Sequence, residues 1–184
     1  MQEHRPIYDE ALSLLKEFNQ SESLLKHAYA VEGVMRYLAG KAGEDEEKWG
    51  IIGLMHDLDY ERFPEQHCHK VRQILTERGW PEEYIRAIVS HGWGICTDTE
   101  PETEMEKILY TIDELTGLIT AVAIIRPSKS VMDLEAKSVM NKSFAAGVNR
   151  SVIEKGSEML AVELRDLVTD VIMGMRAVAD RIGL

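Results

Sequence analysis

Two residues of opposite chemistry, His56 and Asp57, stand side by side in the run Trp49-Gly-Ile-Ile-Gly-Leu-Met-His-Asp-Leu58. The run is apolar on every helical face, which predicts a helix buried all round. An ionised carboxylate inside such a helix costs several kcal/mol, on the order of 5, unless a counter-charge or strong hydrogen bonds offset it. A metal ion is the counter-charge that satisfies an imidazole and a carboxylate together. A hydrogen-bonded His-Asp couple is the plainer alternative.

Further candidate ligands stand in similar settings along the chain. His27 lies between Leu24 and Val31, one helical turn away on either side, so its ring is expected to face the core. Alone it reads as a core histidine. His67 falls on the apolar stripe of Val71 and Ile74, whereas His69 keeps company with Gln66, Arg72, Gln73 and Thr76 and reads as a surface residue. His91 follows Tyr84, Ile88 and Val89; it is either a ligand or a histidine favourable to a helix C-terminus. Asp113 lies a turn from Leu109 and Tyr110, with Gly117 a turn beyond, and needs either a metal or a basic partner. Together the residues say more. His27, His56, Asp57 and Asp113 offer one ion two imidazoles and two carboxylates. His67 and His91 are ligands for a second ion, with a carboxylate bridging the pair. Such a set suits a divalent metal: Mn, Fe, Co, Ni, Zn or Mg.

The elements that must position these residues all read as helices. Apolar residues at 7, 11, 14, 15 and 18 make a helical stripe. Ser21 is expected to cap a second helix that Gly43 stops near residue 42. The acidic cluster Glu44 to Glu47 suits the first turn of a third, ending near Tyr60. Pro64 to Gly79 and Pro81 to Gly92 bound a fourth and a fifth. A loop over 92–101 precedes a long helix from about 102 to 125, opened by a Thr103/Glu106 capping box and closed by Pro127. After a linker at 127–130 come two shorter helices and a last one from about Val162 to Ile182. No segment alternates at period two. The expected fold is all-α, a single-domain helical bundle over 1–184, with helices from 130 onward packing on the rest.

Composition narrows the function. The chain has 184 residues, 45% hydrophobic and 29% charged, which favours one domain with a substantial core. Its net charge of −11 argues against a general nucleic-acid surface, since phosphate backbones are bound by cationic patches. The start Met1-Gln-Glu-His-Arg-Pro6 lacks the apolar stretch of a signal peptide. No window is expected to supply the roughly 20 apolar residues of a membrane span. Two cysteines, Cys68 and Cys96, are too few for a disulfide scaffold and read as those of a reduced, cytoplasmic protein. The apolar face of the last helix serves the core or a homodimer seam.

The order His27, His56-Asp57, His67, His91, Asp113 resembles the HD-domain superfamily of metal-dependent phosphohydrolases, over roughly residues 20–125. The matches for one ion are His27, His56-Asp57 and Asp113; His67 and His91 match the two extra histidines of the two-metal branch. The chain is also similar to a small set of bacterial and archaeal HD hydrolases, through Asp113-Glu-Leu-Thr-Gly-Leu-Ile-Thr120 and Arg126-Pro-Ser-Lys129. Two positions depart from the two-metal pattern: Leu58-Asp59 follows the His-Asp pair where many members have Ile-Gly, and Gly92 follows His91 where some have a second histidine.

The resemblance implies hydrolysis of a phosphate ester of a small molecule or nucleotide, with one or two ions making water acidic enough to act as nucleophile. Asp59 and Glu61 are then candidates for orienting that water or for acid–base work, or else acids of a turn. A phosphate held by so acidic a protein needs local positive charge. Lys129 with Arg126 is the first candidate; Arg62, Lys142 and Arg150 come after it. Two other HD-type activities compete: a di-iron oxygenase, and a non-catalytic regulatory or binding module.

Overall fold

Helix α2 (Glu22–Ala42) is an axis on which much of the chain packs. The computed structural model describes residues 5–141 and 147–184. Lys142 and the first four residues lie outside them. Among the described residues there are ten α-helices, one short 3-10 turn and no strand. The remaining helices are α1 (Tyr8–Phe18), α3 (Glu46–Met55), α4 (His69–Glu77), α5 (Glu82–Ser90), α6 (Glu104–Ile125), α7 (Ala136–Met140), α8 (Arg150–Leu160), α9 (Leu164–Arg176) and α10 (Ala179–Ile182). The fold is all-α, as the helical periodicity predicts.

The local signals act through different atoms in different places. Gly43 ends α2 at φ +74, a conformation that costs glycine nothing, and its N–H returns to the carbonyls of Ala39 and Gly40. Asp45 caps α3 by accepting from Lys48 N–H. Thr103 and Glu106 form the reciprocal capping box on α6. Ser21 does not cap α2 with its hydroxyl. Instead the Glu61 carboxylate accepts from the backbone N–H groups of Gln20 and Ser21, at 2.8 and 3.0 Å.

Buried apolar side chains form one contiguous cluster running from Ala11 to Ile182. Helices α2, α3 and α6 supply its middle. Helices α7 to α9 cover the opposite side, α8 lying on α6 and α9 on α2. Helices α2 and α9 meet closely: a Cβ on Gly174 would sit 2.6 Å from the Cα of Val34. Beside this seam the buried Glu32 carboxylate pairs with Arg36 (2.9 Å) and Arg181 (3.0 Å), tying α10 to α2.

Three expectations about elements are corrected. The third helix stops at Met55, and residues 56–62 form turns. The fourth is interrupted at His67-Cys68, where Cys68 takes φ +67 between the 3-10 turn Pro64–Gln66 and α4. The last long helix breaks at Val178, dividing α9 from α10. One further expectation fails on composition: α6 is long and apolar enough to cross a membrane, although most of its apolar stretch is buried by neighbouring helices.

Candidate metal centre

Five segments bring the candidate ligands to one place. His27 comes from the second turn of α2 and Asp113 from the middle of α6. His56 and His91 stand at the C-caps of α3 and α5, and Asp57 follows His56. His67 sits between the 3-10 turn and α4. His56 keeps helical backbone angles just past α3, and although neighbouring residues on a helix diverge by about 100°, its Nε2 and Asp57 Oδ2 lie 3.4 Å apart.

Helix ends also fix the imidazoles. The last carbonyls of a helix lack intrahelical partners. His56 Nδ1 donates to the carbonyl of Gly53 (2.7 Å), and His91 Nδ1 donates to that of Ile88 (2.6 Å). The same device is used twice, three residues back in each case. His67 Nδ1 instead pairs with Asp59 Oδ1 at 2.7 Å. With Nδ1 protonated and engaged outward, each Nε2 keeps its lone pair for the interior.

Those lone pairs face one another. His27 and His56 Nε2 are 3.2 Å apart, and His67 and His91 Nε2 are 3.1 Å apart. Asp113 Oδ1 lies 2.9 Å from the first of the four and 3.3 Å from the second. Asp57 Oδ2 lies 3.4 Å from His56 and 3.7 Å from His27; its Oδ1 lies 3.4 Å from His67 and 3.5 Å from His91. One carboxylate therefore spans two sets of donors. Bonds of about 2.0–2.2 Å place neighbouring donors of a tetrahedron or octahedron roughly 3–3.5 Å apart. The donor set fits one ion at His27, His56, Asp57 and Asp113, and a second at His67, His91 and Asp57.

The electrostatics carry the same signature. Burial disfavours the His56 imidazolium, but Asp57 and Asp113 outweigh it and hold the pKa well above the usual value. Burial also disfavours the Asp57 and Asp113 carboxylates, and the histidines facing them hold both pKa values well below the ordinary range. In the absence of an ion, a proton on His56 takes its place.

Other expected residues fall elsewhere. Asp59 is fully buried, and both of its oxygens are engaged: Oδ1 with His67 and Oδ2 with the N–H of Val71 at 2.8 Å. It orients a ligand rather than facing reactants. Glu61 is used in opening α2. Arg126 closes α6, pairs with Asp133 at 2.9 Å, and stands thirteen residues beyond Asp113, or about 20 Å along the helix. Lys129 lies in the exposed loop beyond it. The expected phosphate cations are thus not brought to the centre. Arg62 donates to the Glu17 carbonyl over the Phe18 ring, and Arg150 pairs with Glu154.

Two features were not anticipated from sequence. The sulfur of Cys68 lies within 4.8 Å of ligand nitrogens of His67 and His91. A Cβ on Gly92 would stand 2.5 Å from that sulfur and closer still to Cys96 Sγ, so a larger residue there would have to displace both sulfurs. The hydrogen bond from Cys68, helped by His67 and His91, holds the Cys96 thiol down at about 6. A histidine followed by cysteine, with a second cysteine five residues after another candidate histidine, is the sequence signal for this cluster. The other feature is a surface depression of about 260 Å³ beside His27, lined by Lys26, Gly117, Thr120, Ile124 and Leu184.

A model of the HD domain matches residues 24–118. No solved structure matches the chain. The matched stretch spans more than half of the sequence and holds all six convergent candidate ligands, from His27 to Asp113. The chain belongs to the HD domain family.

Proposed function

We propose that the protein is a metal-dependent phosphohydrolase acting on a phosphate ester of a small molecule or nucleotide, with two divalent ions bridged by Asp57. One observation carries this reading: the Nε2 atoms of each histidine pair lie about 3 Å apart around a shared carboxylate, and the Nδ1 atoms of His56, His67 and His91 are engaged elsewhere. Two neutral Nε2 lone pairs at that distance repel; a proton relieves this in the metal-free protein, and a divalent cation that displaces it relieves the conflict at both pairs. A divalent cation so held supplies Lewis acidity, acidifying water and offsetting charge on phosphoryl oxygens.

The charge balance favours a phosphate. Counting Asp57, Asp113 and the Asp59 carboxylate behind His67, with four neutral imidazoles, two divalent ions leave a surplus of about one positive charge, which suits an anionic phosphate ester. That surplus answers the question posed by a net charge of −11: the attracting charge is local and comes with the ions. His56 and His91 are buried and form the floor. His27, Asp57 and Asp113 keep about a fifth to a quarter of their side-chain surface open and form the mouth. The depression beside His27 receives the rest of the substrate, with Gly117 leaving its wall open and Ile124 giving an apolar contact.

The test is phosphate release from a broad panel of phosphomonoesters and nucleotides by protein loaded with Mn, Co, Ni, Zn or Fe, under air and under nitrogen. Metal-dependent release independent of oxygen supports the reading. Release from no ester, together with oxygen consumption and an iron-centred paramagnetic signal, replaces it with di-iron oxidation. A protein loaded with metal but inert in both assays is a binding module.

A further inference from the structure

Cys68 and Cys96 belong to different segments, yet both sulfurs converge on the space beside Gly92 that a Cβ would fill. Cys96 Sγ also points at the Gly92 carbonyl at 3.7 Å. Cys68 is buried, whereas Cys96 is partly exposed. Cys68 Sγ lies within 4.8 Å of nitrogens of His67 and His91, whereas Cys96 belongs to neither donor set.

We propose that Cys68 and Cys96 form a redox-active dithiol that a hydroperoxide oxidises to an intrachain disulfide, and that this crosslink expels the ion at the His67–His91 position. The accessible Cys96 sulfur attacks the peroxide oxygen, breaking the O–O bond; it becomes a sulfenic acid, and an alcohol or water leaves. Cys68 sulfur then attacks the sulfenic sulfur, forming the S–S bond and releasing water. The two thiol protons end in the leaving alcohol and water, and two electrons pass to the peroxide.

The coupling to the metal is positional. Cys68 directly follows His67, and its own backbone already sits at φ +67. Cys96 N–H is bonded to the carbonyl of Gly92, the residue after His91, at 3.0 Å. Drawing the sulfurs together to the ~2.05 Å of a disulfide pulls the two ligand-bearing segments from opposite sides. This second clause rests on the two-ion reading; the crosslink itself does not.

The experiment treats reduced protein, both metal-free and loaded with Co(II), with a stoichiometric amount of hydrogen peroxide. Thiols are then alkylated, intact mass and linked peptides are read, and metal content is measured after desalting. The expected product is 2 Da lighter, with residues 68 and 96 in one linked peptide. Dithiothreitol reverses it, and both Cys68→Ser and Cys96→Ser lack it. Oxygen adducts on Cys96 without a crosslink overturn the dithiol. In loaded protein, oxidation is expected to lower cobalt from two equivalents to one; a crosslinked protein that keeps both overturns the coupling. Reduced protein that never takes up metal marks failure of the ion reading instead, with the crosslink still read on the metal-free sample.

Discussion

Asp59 Oδ1 holds Nδ1 of His67 at 2.7 Å, inside a site where Asp59 itself has no exposed surface. The contact selects the imidazole tautomer that leaves Nε2 free for the second ion proposed above, and fixes the ring plane. An amide at position 59 keeps the shape but supplies a weaker acceptor, and one of its two ends meets a donor wrongly. Asp59→Asn is expected to weaken the second equivalent of metal by about 10–100-fold while leaving the first nearly unchanged. It also destabilises the fold by about 1–3 kcal/mol through the N–H of Val71. Competition titration with a chelating dye separates the two equivalents. Equal weakening of both would show that Asp59 supports the fold and not His67.

Asp57 makes a different prediction because its two oxygens face different histidine pairs. Asp57→Ala is expected to cost both ions, whereas His67→Ala costs one and Asp113→Ala weakens the other. Elemental analysis after dialysis reads the ratio. If Asp57→Ala retains one equivalent, the carboxylate does not bridge.

These ligands were legible in the sequence because each sits in an apolar setting that a lone polar group does not tolerate, and because the HD order is specific. The helical class was legible from periodicity, and the α6 capping box from residue types. What escaped has a common cause: the deciding partner is distant in sequence. Nothing local to Glu61 announces that it opens α2 by accepting from Gln20 and Ser21. Glu61→Gln is accordingly expected to lower stability by about 1 kcal/mol and to leave metal content unaltered, as thermal melts beside elemental analysis will read. The break at His67-Cys68 escaped because a continuous apolar stripe predicts a continuous helix; the side-chain demands of Asp59, His91 and Cys96 override it. Arg126 and Lys129 failed on length alone, since a helix carries them far from Asp113.

The seam between α2 and α9 tests how tightly the C-terminal helices are held. Replacing glycine by alanine in a helix ordinarily gains about 1 kcal/mol. At Gly174 the added Cβ meets the backbone of Val34 at 2.6 Å, and backbone cannot rotate away. Overpacking costs about 1–3 kcal/mol, so strain wins, and Gly174→Ala is expected to destabilise by about 1–2 kcal/mol. Chemical denaturation measures it; an unchanged or raised midpoint would mean that the seam opens without cost.

The proton that stands in for metal gives the centre a pH signature. In metal-free protein Asp57 and Asp113 overcome the burial of His56 and raise its pKa. A raised pKa stabilises the fold fully below the unfolded value of about 6.5 and loses that contribution as pH climbs through the folded value. The two aspartates run the other way. Their lowered pKa values stabilise above about 4 and lose it as pH falls through the folded values. Stripped protein is therefore expected to melt highest between about pH 4 and 6.5, and to lose melting temperature as pH rises through the His56 value. Metal reverses the slope, because an ion must displace the imidazole proton and so binds more tightly as pH increases. Melting curves from pH 5 to 9, with chelator and with Mn(II), should diverge progressively on the alkaline side. Parallel curves would mean that no proton leaves on binding, and the ion would then have to sit away from His56.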